Sequence, residues 1–585
     1  MKFYKNTRIG KRNRKSYMVN VGKIYLAIVW MALALSSCVG ALGEQGEGKD
    51  ALLRLTFNPG GTRSRALSDG ESTITDINVL VFNSAGALTG SAYATFAGGN
   101  YTMDVSARTG EGCSIYAIAN TGSAAYFKGV TTITDFKKKY VALASDPAEL
   151  GNASKTVMFG KKTGVKIDAQ TAITAADNFA LTRLCAKMSF TIKPATGITV
   201  TGYQLCHVPM GSYITDETST AYYNPPSAVF KDFSAVAVTT SAGTSVSGIN
   251  YYMYENLAGK GTNPSAETRT ATYAPINATY LIVYAKTNDW HSTYRIYLGG
   301  ANSSDYADYN IPRNYNYNYN INIGGPGIKD VRVIYLPNIG NYYYSDGTWG
   351  ANANPSGKRV IGVIFSDATS NLDKAKGWTH GYAMALTNAS PGCQWDDGSF
   401  IDTPELTNTS SDLIKLNKDG YTETKAIKDH RNISSTSFSA FYYTLRYGID
   451  NNTQYAAPSN SSGWYLPSIG QWYDILVNLG KMSPSVNIGI YTDAIIWYPI
   501  TGSGETNQSL YTSVLAANNI NAYLTPLYNY TVNTFGSSDY YWSSSEFNNK
   551  IAFGTIFYAA TNNQLYLDAY NPKNSGFIAR SVIAF

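Results

Sequence analysis

The sequence predicts a mainly β protein of three domains: two tandem β-sandwiches followed by a mixed α+β domain. Three observations predict it. In the most strongly patterned stretches apolar or aromatic side chains recur at every second position, the period of a half-buried strand. Tyr (48) and Gly (52) are abundant while charged residues make up only 15% of the chain, a balance that favours strands and tight turns over helices. Seven of the nine Trp lie between Trp349 and Trp542, beyond Gly324-Gly325-Pro326-Gly327, so the composition changes at a glycine-rich break. At 585 residues the chain is too long for one core and divides into about three or four units.

Residues 1–37 read as a targeting segment outside the fold. They hold eight basic side chains and no acidic one; taking those eight from the formal +6 leaves −2 for the rest. There is thus no electrostatic case for nucleic acid or an anionic membrane surface. The apolar run over 24–35 is shorter than the ~20 residues a spanning helix needs. It leads into Leu35-Ser36-Ser37-Cys38, which resembles a bacterial lipobox and predicts lipidation of Cys38. A simple signal peptide with an incidental Cys is the alternative. Residues 38–50 form an acidic, Gly-rich linker. Export makes Cys113, Cys185, Cys206 and Cys393 disulfide-permissive, but four Cys in so long a chain are no framework.

The first sandwich is expected over 51–180. Leu53, Leu55 and Phe57 alternate onto one face of an opening strand. A break at Asn58-Pro59-Gly60-Gly61 leads to Thr62-Arg63-Ser64-Arg65-Ala66, where a trypsin-like protease would cut. One reading is a first strand and an ordinary loop. The other is a provisional strand that is clipped after Arg65 and replaced by a strand from another subunit. An emptied edge leaves unpaired N–H and C=O groups and apolar pockets that only another strand can fill. Further strands are expected over 76–83 and 114–120. Ile133, Phe136 and Tyr140 have helical spacing, with Thr134 or Asp135 available as N-cap.

The second sandwich is expected over 181–325. It opens on the alternating run 181–192, and Pro194-Ala195-Thr196-Gly197 turns it into 199–208. A symmetric hairpin would place Cys185 opposite Cys206, making a cross-strand disulfide geometrically feasible. The domain closes on 313–323, where Tyr315, Tyr317 and Tyr319 alternate with Asn as one face of an ordered strand.

The third domain is expected over 326–585. Ser468-Ile469-Gly470-Gln471 is a capping box, followed at helical spacing by Trp472, Ile475, Leu476 and Leu479, with Gly480 as the stop. Strands are expected over 360–366, 383–388, 551–559, 564–569 and 576–585. The last of these leaves no free tail to donate.

The early strand before an Arg site, Leu181-Thr182-Arg183-Leu184 at the head of a second sandwich, and the closing Arg313-Asn314-Tyr315 strand together resemble Bacteroidales fimbrillins, the subunits of type V pili. The resemblance spans about 24–325. It implies transthyretin-like pilin sandwiches, a lipoprotein precursor exported to the outer membrane, and removal of the first strand by an Arg-specific protease. Assembly with other fimbrial subunits then proceeds by strand exchange. The cut would fall after Arg65, or after Arg63 with Ser64 as the new terminus. Beyond 325, Gly463-Trp464-Tyr465-Leu466-Pro467-Ser468, Tyr541-Trp542-Ser543-Ser544-Ser545 and 579–585 resemble a bacterial C-type-lectin-like domain. Together these imply a tip subunit whose last domain meets a host, bacterial or glycan ligand at the cell surface. An accessory or anchor pilin is the rival reading. The Glu-Pro-Asn and Trp-Asn-Asp of calcium-dependent lectins are missing, so neither calcium nor sugar binding transfers; no cofactor is expected, and calcium stays open.

No catalytic constellation stands out. His207, His291, His380 and His430 are scattered, with no His-Glu-x-x-His and no Cys-x-x-Cys, which disfavours zinc. Asp396, Asp397 and Glu546 beside Trp395 and Trp542 suit glycosidase carboxylates less well than solvated turns next to packed Trp. For binding, Trp395, Asp396, Asp397, Trp542, Glu546, Asn548 and Asn549 make the best patch, since sugars stack on aromatics and hydrogen-bond to carboxylates and amides. The competing reading buries both Trp.

Overall fold

The structure, a computed structural model, describes residues 48–585 apart from 60–72, 151–155, 174–178, 216–228, 263–264, 301–304, 400–413, 451, 492, 500–511 and 560–562. The chain is mainly β, in several sheets.

The first sandwich uses β1 (Asp50–Thr56), β2 (Asp76–Phe82), β3 (Leu88–Thr95), β4 (Thr102–Arg108), β5 (Gly110–Ala119), β6 (Met158–Ile167), β7 (Gln170–Ile173) and β8 (Ala180–Arg183). One sheet runs β4-β1-β7, the other β8-β6-β5-β2-β3. β2 is buried at every position because both its faces are covered. Ile77, Val79 and Val81 meet the other sheet. Leu80 and Phe82 meet Phe136 and, from the second domain, Leu184, Ile214 and Tyr254. The short helix α1 (Ile133–Lys137) that supplies Phe136 is capped by Thr132, whose side chain accepts from the Asp135 N–H, and not by Thr134 or Asp135. Tyr140 leaves the helix for a short strand, Tyr140–Ala142, that pairs with Gly211–Tyr213.

In the second sandwich β9 (Cys185–Pro194), β10 (Thr199–Cys206), β11 (Val246–Tyr254), β12 (Tyr280–Lys286), β13 (Trp290–Tyr297), β14 (Asn316–Ile323) and β15 (Val333–Pro337) form sheets ordered β11-β9-β14 and β10-β12-β13-β15. The expected β9–β10 hairpin is not there. The turn after Pro194 carries the chain from one sheet to the other, so Cys185 lies opposite Tyr254 and Cys206 opposite Tyr280. Neither forms a disulfide. The arch wins because Met188 and Phe190 on β9 and Val200 and Leu205 on β10 then fill one core from opposite sides; a flat hairpin would put them on one sheet and leave the core half empty. Burial pushes the Cys206 thiol up to about 12. The domain also runs past the glycine-rich break, since β15 pairs with β13.

The third domain is one eleven-stranded sheet. Its strands are β16 (Tyr342–Tyr344), β17 (Val360–Ser366), β18 (Tyr382–Cys393), β19 (Ile488–Ile490), β20 (Ala494–Trp497), β21 (Tyr540–Glu546), β22 (Ile551–Tyr558), β23 (Gln564–Pro572) and β24 (Phe577–Ala584), with Trp349–Gly350 and Trp464–Tyr465 as short additions. The order β16-β17-β18-β24-β21-β22-β23-β20-β19 puts β24 in the middle, and Phe585 is 4% exposed. Helices α2 (Gly420–His430), α3 (Ser439–Leu445), α4 (Ile469–Asp474) and α5 (Thr512–Leu524) pack on it. The capping box at Ser468 and Gln471 forms, and a π-helical turn, Ile475–Leu479, extends α4 to Gly480. Gly480 keeps right-handed backbone (φ −71°); it is required there because a Cβ would lie 2.5 Å from the Leu476 carbonyl oxygen. The second and third domains join through Tyr335 stacked on Trp349 (4.9 Å), a His291 ring nitrogen 3.2 Å from an Asp367 carboxylate oxygen and Asn341, whose amide donates to the Asn288 and Asp289 carbonyls.

Candidate functional site

The site with the clearest construction is the bed of β1. It is the middle strand of its sheet, antiparallel to β4 with Leu53 opposite Val105 and parallel to β7 over Leu52–Leu55. Its burial alternates strictly: Leu53 and Leu55 are fully buried and Phe57 is 3% exposed, whereas Leu52 is 45% exposed. The buried side chains sit on Val79, Val105, Ile115 and Leu181, and Phe57 meets Phe179 edge-on at 5.1 Å. On the solvent side Arg54 holds Asp104 by two hydrogen bonds, 2.8 and 3.0 Å. Each charge favours the other: the hydrogen bond to Asp104 raises the Arg54 pKa, and the one from Arg54 lowers the Asp104 pKa. That pair is exposed and adds little hold; the grip is apolar. Withdrawing β1 would strip two strands, β4 and β7, of a backbone partner and open a trough shaped for alternate apolar side chains. Cys38 and the stretch Arg63, Ser64, Arg65 and Ala66 lie outside the described residues.

The expected ligand patch is not a surface. Trp395, Asp396, Trp542 and Glu546 are all fully buried. Trp395 donates its ring N–H to the Ser543 carbonyl (2.9 Å), and Trp542 donates to that of Cys393 (2.8 Å) while stacking on Phe577 at 4.4 Å. Glu546 is paired with Lys573, itself fully buried and lying 4.5 Å over the Trp395 ring. Burial raises the Asp396 pKa. Only Asp397, Asn548 and Asn549 reach solvent, and the first two are occupied. Asp397 accepts from the Ser399 N–H and the Ser437 hydroxyl, and Asn548 caps a turn at Lys550 and Ile551. These residues plug the end of a large sheet, a role that needs indole bulk more than indole exposure. What the sequence reading missed is Glu423 on α2, which accepts from Asn417 and from the Ser544 and Ser545 hydroxyls. Burial pushes its carboxyl up to about 7. The run Ser543-Ser544-Ser545 was the available signal, since three hydroxyls on a buried strand need acceptors. Arg580 is the counterpart on β24: it is fully buried and donates to the carbonyls of Ala385, Leu386 and Asn533. Among the described residues no group of three or more His, Cys, Asp or Glu side chains could hold a metal ion.

Comparison with known proteins bears on the β1 bed. A family model described as the major fimbrial subunit protein (FimA) matches residues 53–183, beginning within β1 and ending at the close of β8. A second, described as a domain of unknown function (DUF4906), matches residues 251–321. No curated protein matches the chain. Among solved structures, the tip fimbrial protein Mfa3 of Porphyromonas gingivalis, truncated at its C-terminus, is 16% identical with a TM-score of 0.36, over 49% of this chain and 98% of that one. A fimbrilin (FimA) of the same organism gives 14% and 0.33, over 49% and 96%. A fimbrial protein of Bacteroides ovatus gives 12% and 0.27, over 92% and 100%.

Proposed function

We propose that the chain, whose first sandwich matches the family model of the major fimbrial subunit protein (FimA) over residues 53–183, is a structural, non-enzymatic subunit of a surface pilus, namely its tip subunit and an adhesin. In this reading the precursor is a lipoprotein anchored through Cys38 at the outer membrane. An Arg-specific protease cuts after Arg65, β1 leaves, and a strand from the next subunit takes the bed between β4 and β7. The single observation that carries it is the placement of β1: a central strand, gripped by three buried apolar side chains, a few residues ahead of two arginines. A strand in that position is integral to the sandwich, yet only one cut separates it from the rest of the domain.

The third domain is read as C-type-lectin-like and adhesive, with its opening strands and its last strand side by side in one sheet. β24 supports the tip placement. It is paired on both sides, with β18 and with β21 and Trp464–Tyr465, so it cannot be lent to a neighbour without unfolding its own domain. N-terminal sequencing of the subunit recovered from fimbriae tests the reading. The expected terminus is Ala66, or Ser64 if Arg63 is cut. A subunit that keeps lipidated Cys38 and β1 is an anchor or accessory pilin, and the tip reading fails.

A further inference from the structure

One face of the third domain is built of tyrosine and lies apart from the β1 bed. The core side of β20, β23, β22 and β21 is filled by Trp497, by Leu565 and Leu567, by Phe557 and by Tyr541, and Ile488 of β19 packs against the same core, so alternate residues face the opposite way. Pairing sets Gly489, Ile496, Tyr566, Ile556 and Tyr540 in one row across all five strands, about 20 Å long. Tyr498 and Tyr558 flank this row on one side. Tyr491 and Tyr570 flank it on the other and are 49% and 65% exposed.

The rings are held in place. Gly489 leaves room for two of them: a Cβ there would meet the rings of Tyr491 and Tyr498 at 2.8 and 2.9 Å, and their hydroxyls touch at 2.7 Å. Tyr566 donates to Gln564, Tyr570 donates to Asp493, and Tyr558 meets Tyr566 edge-on at 6.5 Å. A surface that has already given up its rotamer freedom loses little more on binding.

Charge narrows the ligand. None of the five strands contains Lys or Arg. The half-buried carboxylate here is Asp493, which accepts from the Tyr570 hydroxyl; Asp568, on the strand of Tyr570, is buried. Such a face repels anions, so acidic glycans, nucleic acid and anionic lipid do not suit it. Fixed rings offer apolar planes to sugar C–H faces, and phenol and carboxylate oxygens accept from sugar hydroxyls. We propose that this face is the docking platform for a neutral oligosaccharide, lying along the tyrosine row. The proposal rests on reading the third domain as the adhesive one.

The test is a glycan array carrying neutral, sialylated and sulfated saccharides, probed with the full exported chain. Y491A/Y570A removes two exposed rings, with Y528A, 79% exposed and off these strands, as control. Neutral glycans are expected to bind, and Y491A/Y570A to lose about tenfold or more with an unchanged melting temperature, while Y528A binds as wild type. Equal binding by Y491A/Y570A, binding to acidic glycans only, or no binding to any glycan overturns it. So does a dimer in sedimentation velocity that Y491A/Y570A abolishes, since the face would then be a contact between copies. The N-terminus of fimbrial subunits is scored separately: a correctly processed tip subunit that ignores glycans rejects the platform alone, and an unprocessed subunit that binds them rejects the tip placement alone.

Discussion

Locking β1 to its neighbour should stop assembly without stopping folding. Arg54 and Asp104 are direct cross-strand partners with their side chains together on the solvent face, and opposed residues of an antiparallel pair have the Cα separation a disulfide needs. R54C/D104C therefore places a bridge on β1 while leaving Leu53, Leu55 and Phe57 in their pockets. Three large buried side chains contribute about 1.5–3 kcal/mol each, or roughly 5–9 kcal/mol together, an upper figure because an unfolded chain already hides some surface. Before the cut this hold is intramolecular. Afterwards β1 is a separate peptide, and its release recovers translational and rotational freedom worth ~4 kcal/mol or more. The cut thus turns a clamp into a weak ligand that a better strand can displace. In the oxidised variant the cut peptide cannot leave. Purified precursor treated with an Arg-specific protease should then be nicked at normal speed yet fail to take up a donor-strand peptide from the preceding fimbrial subunit, measured by gel shift, until a reductant is added. Equal uptake by the oxidised and reduced forms would show that β1 is not the exchanging strand.

Leu55→Ala, at a fully buried position, is expected to destabilise the uncut precursor by about 3–5 kcal/mol in urea melts. Subunits recovered from fimbriae should melt as wild type, because the altered residue leaves with the peptide. Lys573→Met strands the buried Glu546 carboxylate and should cost the third domain about 3–5 kcal/mol, most of it restored in Lys573→Met/Glu546→Leu; chemical denaturation followed by Trp fluorescence reads both. Glu423 predicts a pH slope. Burial holds its folded pKa, about 7, above the ordinary 4.5, so the fold binds this proton more tightly than the unfolded chain does. Stability of the third domain should fall as pH rises from about 4.5 through about 7, at up to ~1.4 kcal/mol per unit. Glu423→Gln should flatten that fall in urea midpoints across the range. It should not abolish it, since burial also raises Asp373 and Asp568 to about 6.

The features legible in the sequence are those fixed within a few residues. Alternation at Leu53, Leu55 and Phe57 named the buried face of β1, because in an extended strand neighbouring side chains must point to opposite sides. Ser468 and Gln471 marked the start of α4 because both capping bonds close within one turn.

 The change to a Trp-rich composition beyond Gly327 is legible in the sequence as well, but the second sandwich continues past it through β15.

Partners and depth were decided by tertiary structure alone. Cys185 and Cys206 fitted a hairpin on paper, but two half-filled sheets gain more by facing each other across a core than by lying side by side. Trp395 and Trp542 looked the same in sequence whether they stacked on a ligand or sealed the end of a sheet, and only the arrival of Phe577 and Lys573 from far along the chain placed them inside. The tyrosine face arose in the same way, from strands separated by up to about eighty residues brought into one row. Period and capping are local and the backbone enforces them wherever the chain goes. Which strand lies beside which, and what is then shut away from water, depends on long-range burial, to which local spacing is blind.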